Sequence, residues 1–178
     1  MWRNMEHTER KRLRWKYWNY NNSGTYFLTI CTKNREKILS RIYEDPAGEY
    51  LYDSDDHRLS VALTDFGKIV EKCLGEASQV KGISVEHYVI MPDHIHIILA
   101  VEGDRATEKE PGKEVHERVP KFLSTFKTLC HKEAGEKFLQ RSGFDHVVRN
   151  HLDYDAVVHY MNRNPARWYH RERYGKES

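Results

Sequence analysis

Cysteine is scarce in this chain. Its 178 residues hold three, Cys31, Cys73 and Cys130, scattered and without any C-x-x-C pair. That argues against a disulfide framework and against a thiolate zinc site. No apolar run reaches the ~18 residues that a membrane span requires. The first residues are polar, aromatic and basic, unlike a signal peptide, so a cytoplasmic setting is expected. Charge of one sign is also missing in bulk. Lys and Arg number 29 against 27 Asp and Glu, a net +2, so overall charge names no partner. There is no internal repeat. With 39% hydrophobic and 31% charged residues, the composition is that of a globular domain rather than a disordered chain.

Local charge says more than the total. Residues 1–22 read as an N-terminal arm in which Arg3, Arg10, Lys11, Arg12, Arg14 and Lys16 interleave with Trp2, Trp15, Tyr17, Trp18 and Tyr20. Basic side chains neutralise phosphate and aromatic rings stack on unpaired bases. Packing of the tryptophans on the domain, with solvated charges, is an equal alternative. Residues 23–178 read as a single domain. Residues 25–32 (TYFLTICT) have the composition of a buried strand. The acidic stretch 41–58 reads as a long loop or edge hairpin, and Leu59–Leu63 as a short strand. Thr64 or Asp65 can cap a helix whose apolar positions run from Phe66 to Ala77, with Lys81-Gly82 ending it.

Two strands, Ile83–Ile90 and His94–Val101, are predicted to form a hairpin through Met91-Pro92-Asp93, and 102–117 reads as a loop. A second helix is expected after Pro120. A short extended piece is expected over Phe144–Val148. Asp153 can cap a last helix that Pro165 stops near Asn164. The pattern predicts an α+β sandwich with a central antiparallel sheet and helices on one face.

Residues two apart on a strand share a face, so His94 and His96 present two imidazoles side by side while Ile95 and Ile97 point into the core. Two buried imidazoles without partners would be costly, and a shared metal ion satisfies both. With 11 histidines in the chain, roughly one H-x-H pair is expected from composition alone. A solvent-facing pair on an edge strand is therefore the competing reading. On the last helix Tyr160 and Asn164 lie one turn apart on one face. A phenol beside a metal-bound phosphate can act as a nucleophile once activated. By helix pattern alone, however, core packing beside Val157 and Met161 is the favoured reading for Tyr160. Tyr154 is a rival that lacks an amide four residues on.

Taken together, five segments resemble the single-tyrosine HUH transposases, and the REP-associated tyrosine transposases in particular. Residues 26–35 (YFLTICTKNR) look like the family's first strand and turn. Residues 91–99 (MPDHIHIIL) resemble its histidine–hydrophobic–histidine motif, with Asp93 where Asn is usual. Residues 124–127 (STFK) resemble a Ser-Phe-Lys element with a Thr inserted. Residues 140–149 are similar to the segment before the catalytic helix, and 160–165 (YMNRNP) to its tyrosine–x–x–x–Asn–Pro ending.

The resemblance implies a ferredoxin-like fold and a DNA endonuclease and strand transferase. His94, His96 and Asn164 would hold magnesium or manganese. Tyr160 would attack single-stranded DNA beside a hairpin and form a 5′-phosphotyrosine intermediate. Arg12, Arg14, Trp15, Lys127 and Arg149 are candidate DNA contacts, although solvated charge accounts equally well for Lys127 and Arg149. His146 is close in chain order. Relatives keep the tyrosine helix in cis or exchange it within a homodimer, and both stay open. A nucleoid-associated location would follow from DNA binding. Two other readings stay open: a hairpin-binding protein that no longer cuts, and a phosphoesterase that uses metal-activated water.

Overall fold

The computed structural model describes residues 24–49, 58–79, 82–102 and 118–175. The arm, with Arg12, Arg14 and Trp15, lies outside the described residues. Among the described residues, six strands and three α-helices follow in order: β1 (Gly24–Thr32), β2 (Ser40–Glu49), β3 (Leu59–Leu63), α1 (Asp65–Ala77), β4 (Ile83–Ile90), β5 (His94–Val101), α2 (Arg118–Ala134), β6 (Leu139–Val148) and α3 (His151–Tyr174). The α+β reading holds. The main sheet is antiparallel in the order β4-β5-β1-β6, and β2 and β3 pair as a separate ribbon. With α1 and α2 as crossovers between its strands, this sheet has the ferredoxin-like order.

Strand alternation sorts the residues onto two faces. Tyr26, Leu28 and Ile30 of β1, with Ile95, Ile97 and Leu99 of β5, join Val70, Leu74, Phe122 and Phe126 from α1 and α2 in the main core. Burying each such side chain contributes about 1.5–3 kcal/mol. The other face of the same strands carries Phe27 and Ile98, which pack against Val157 and Met161 of α3. Thus α1 and α2 share one face, and α3 lies alone on the other. Since β5 is an interior strand, the edge-strand account of the histidine pair does not apply.

Four boundaries differ from the sequence reading. The last helix does not stop at Pro165 but runs on to Tyr174. Pro165 removes one helical N–H from the ladder, yet Pro165, Ala166 and Trp168 are all buried beyond it, and that burial outweighs one lost hydrogen bond. Asn150 rather than Asp153 is the cap, its side chain accepting from the Asp153 N–H. β6 begins at Leu139 because β1 continues to supply ladder partners through a bulge between Ile30 and Thr32. α2 likewise starts at Arg118, with Pro120 inside its first turn, where proline is tolerated. The α1 cap is Thr64, whose hydroxyl accepts from the Gly67 N–H at 3.2 Å. Gly67 itself must lack a side chain, because a Cβ there would lie 2.0 Å from the Leu39 carbonyl oxygen. No helix among the described residues is long and apolar enough to cross a membrane.

Candidate active site

The β4–β5 turn is held from several sides. The Met91 N–H donates to the His94 carbonyl at 2.8 Å, and the Leu39 N–H donates to the Pro92 carbonyl at 2.9 Å. Both the N–H and the hydroxyl of Thr32 donate to the Asp93 carbonyl. With its backbone fixed in this way, Asp93 is 5% exposed and divides its two carboxylate oxygens. One accepts from His94 Nδ1 at 2.5 Å and the other pairs with Arg35 Nε at 3.0 Å.

A carboxylate can only accept, so His94 carries a proton on Nδ1 and turns Nε2 outward. That nitrogen lies 3.1 Å from His96 Nε2, while His96 Nδ1 is 2.9 Å from the Thr29 hydroxyl. Thr29 stands opposite His96 in the β1–β5 register. Each ring is therefore oriented from behind, and the two Nε2 atoms converge. Burial, followed by the neighbouring His94 and then Arg35, pushes the His96 pKa down to about 3, with Asp93 opposing. The imidazole is held neutral, the form that ligates metals.

In front of the pair opens a cleft of about 420 Å³. Tyr160 and Asn164 of α3 form one wall, Phe27 and Thr29 of β1 the floor, and Arg35 and Arg171 the rim. The Tyr160 ring lies 5.4 Å from the His96 ring and meets Phe27 edge-on at 6.1 Å. Tyr160 is 41% exposed, so it is not part of the buried stripe, which consists of Val157 and Met161. Tyr154 packs instead at the margin of that stripe.

The donor set fits a divalent cation. Among the described residues no three His, Cys, Asp or Glu side chains cluster for a metal; the available donors are two imidazoles and one carboxamide. The Asn164 Nδ2 is buried and has no hydrogen-bond partner. Because the two ends of a carboxamide exchange by a flip, the same side chain can turn its oxygen to that position. Imidazole nitrogens suit later transition ions, whereas magnesium and manganese prefer oxygen, so either of the latter would take the amide oxygen together with phosphate and water oxygens at its open positions. The Asp93–His94 contact is the outer-shell partner such ligands commonly have.

His94, His96, Tyr160 and Asn164 thus come together from β5 and α3. The other candidates do not join them. Lys127 is on α2, on the opposite side of the sheet, and donates to the Arg141 carbonyl at 3.1 Å. Arg149 precedes α3, where its N–H donates to Asp153, and His146 pairs with that same carboxylate at 3.0 Å. Sequence reasoning missed Arg35, Thr29 and Arg171. The one available signal was Asp93, which stands where Asn is usual. Two consecutive non-glycine residues, Asn34 and Arg35, adopt positive φ angles of 54° and 59°, a strain that collects at functional sites at about 1–3 kcal/mol each.

No protein-family model matches the chain. A Haemophilus influenzae protein of uncharacterised function is 28% identical over 176 residues, with 89% of each chain covered. The structure of a REP-associated tyrosine transposase bound to a REP hairpin superposes with a TM-score of 0.52 at 17% identity, covering 83% of this chain and 69% of that one. At that level of identity, what the two proteins share is the fold.

Proposed function

We propose that this protein is a metal-dependent, transposase-like nuclease that cuts and rejoins single-stranded DNA next to a hairpin. Tyr160 is the nucleophile, and His94, His96 and Asn164 hold magnesium or manganese. The observation that carries this reading is the exposed phenol of Tyr160 standing 5.4 Å, ring to ring, from a buried, oriented histidine pair. A tyrosine serving only the core would be buried there. The fold likeness to a transposase solved on a REP hairpin supports a hairpin-bearing DNA as the substrate.

When bound, the ion would polarise the scissile phosphate and offset charge developing in the transition state. The chain's own residues do the rest. Asp93 keeps the His94 proton on Nδ1, and Thr29 fixes the His96 ring. Phe27 meets the Tyr160 ring edge-on and limits its tilt, presenting the oxygen to the cleft. That oxygen forms a bond to phosphorus, the bond from phosphorus to the 3′ oxygen breaks, and the leaving oxygen takes up a proton. The phenol's own proton passes to solvent through the open side of the cleft. Because no water is consumed, the phosphodiester is conserved as a 5′-phosphotyrosine, and a second 3′ hydroxyl can reclaim it.

The test is a denaturing gel of the protein incubated with manganese or magnesium and labelled single-stranded hairpin DNA. Wild type is expected to yield a covalent protein–DNA band that does not form when EDTA is present from the start and that Tyr160→Phe lacks. A band that persists in Tyr160→Phe overturns the choice of nucleophile and points to Tyr154. Cleavage without a band indicates hydrolysis, and DNA binding with neither indicates a binding protein.

A further inference from the structure

Two guanidinium groups stand on the rim of the cleft with donors to spare. Among the cleft-lining residues there is no carboxylate to consume them. Arg35 uses Nε on Asp93 and one Nη1 hydrogen on the Cys31 sulfur. A guanidinium carries five N–H donors in a rigid fork, so the Nη2 edge and one Nη1 hydrogen remain. Arg171 lies over the Trp168 ring, 4.7 Å from its centroid. Stacking occupies the face of the guanidinium and leaves its in-plane N–H edge open. Trp168 is itself fixed, buried and 6.1 Å from the His94 ring, so Arg171 is held on a firm support beside the histidines. Arg35 is held by its two contacts, Nε on the buried Asp93 carboxylate and Nη1 on the Cys31 sulfur.

We propose that Arg35 and Arg171 form a two-guanidinium clamp for the non-bridging oxygens of a nucleic-acid phosphate, and that Arg35 also ties this clamp to His94 through Asp93. The inference rests on the reading of the cleft as a phosphodiester site, and it assigns the part of that site that grips the strand. Guanidinium forks match phosphate oxygens in pairs. A phosphate seated on the free edge of Arg35 would be joined to the His94 ring through the Asp93 carboxylate alone. Arg35 is then a phosphate contact and a positioning residue together, whereas Arg171 is a contact only.

The experiment measures binding, not cutting. A fluorescein-labelled, unstructured single-stranded oligonucleotide is titrated by anisotropy with Tyr160→Phe protein, in EDTA, over a series of salt concentrations. Added to that background, Arg35→Ala and Arg171→Ala are each expected to flatten the slope of log K against log salt by about 0.7, the contribution of one phosphate contact on a single strand. Lys121→Ala, an exposed change on the far helical face, is expected to leave the slope alone.

Nitrogen NMR of the ring resonances separates the two roles: Arg35→Ala shifts His94, and Arg171→Ala does not. Should Arg35→Ala fail to fold, Arg171→Ala on the exposed rim still decides the clamp. Unchanged slopes in both variants, or a parent protein that does not bind the oligonucleotide, overturn the proposal. If the slopes are unchanged while wild type still forms the covalent band, only the clamp fails. If the slopes flatten but no band ever forms, the clamp stands and the nuclease reading fails.

Discussion

His96 is almost removed from water, 3% exposed, and the way it titrates has a consequence for stability. Its pKa is about 3 in the folded protein against 6.5 ordinarily, so as pH falls the unfolded chain takes up the proton first. Above pH 7 the residue contributes nothing to the pH dependence. Between about pH 6.5 and 3 it increasingly favours unfolding, with an upper bound on the order of 4 kcal/mol. His96→Gln cannot titrate there, so its melting temperature, measured from pH 7 to pH 4 without metal, is expected to fall several degrees less than that of wild type. Equal profiles would mean that the ring is hydrated in solution. The pairing of His94 with His96 was legible from a period of two, and that of Tyr160 with Asn164 from a spacing of four. The Asp93–Arg35 contact was not, because it joins residues 58 positions apart that only the β1–β5 pairing brings together.

At the scale of elements, α3 departs most from its sequence signal. Pro165 follows directly on Asn164, so the proposed ligand sits where the helical ladder is interrupted, and its Nδ2 is one of two buried side-chain atoms among the described residues left without a partner, the other being His170 Nε2. Pro165→Ala restores the N–H that can bond the Met161 carbonyl and removes some buried ring surface. These effects oppose each other, and the melting temperature is expected to change by only a few degrees. Formation of the covalent band, or manganese affinity by calorimetry, is expected to drop about tenfold, since small displacements at a reacting centre are costly. Asn150→Ala removes the helix cap and is expected to cost about 1 kcal/mol in chemical denaturation. α1 was readable from its helical spacing, β1 from its β-branched and aromatic composition, and the β4–β5 hairpin from its Met91-Pro92-Asp93 turn. α3 and β6 were legible only in part, to Asn164 and from Phe144, because Pro165 in the one and Gly143 in the other interrupt local patterns that tertiary burial and strand pairing then override.

Across the whole molecule, the sandwich class was readable from the order of elements, but the solitary position of α3 was not, since no local pattern says which face of a sheet a helix will cover. That position divides the protein into unequal parts. The two-helix face rests on a large core, whereas α3 sets Val157 and Met161 against Phe27 and Ile98 of the sheet, with a few partly buried neighbours. Beyond the buried Pro165, Ala166 and Trp168, its second half is fastened to β2 and the segment before it by exposed pairs, Lys37 with Glu172 and Glu44 with Arg173 and Tyr169. Exposed ion pairs contribute up to about 1 kcal/mol each and are screened by salt.

Native-state hydrogen exchange is expected to show the amides of α3 from Val157 to Tyr174 opening well before those of β1 and β5. Raising salt from about 50 mM to 0.5 M, a range over which screening shortens from ~14 Å to ~4 Å, should widen that gap. Uniform protection across both regions would contradict this division. The nucleophile would then ride on a cooperative unit that can loosen without unfolding the sheet. The histidines would stay assembled each time the tyrosine lets go, so the catalytic centre would be a permanent half and a detachable half.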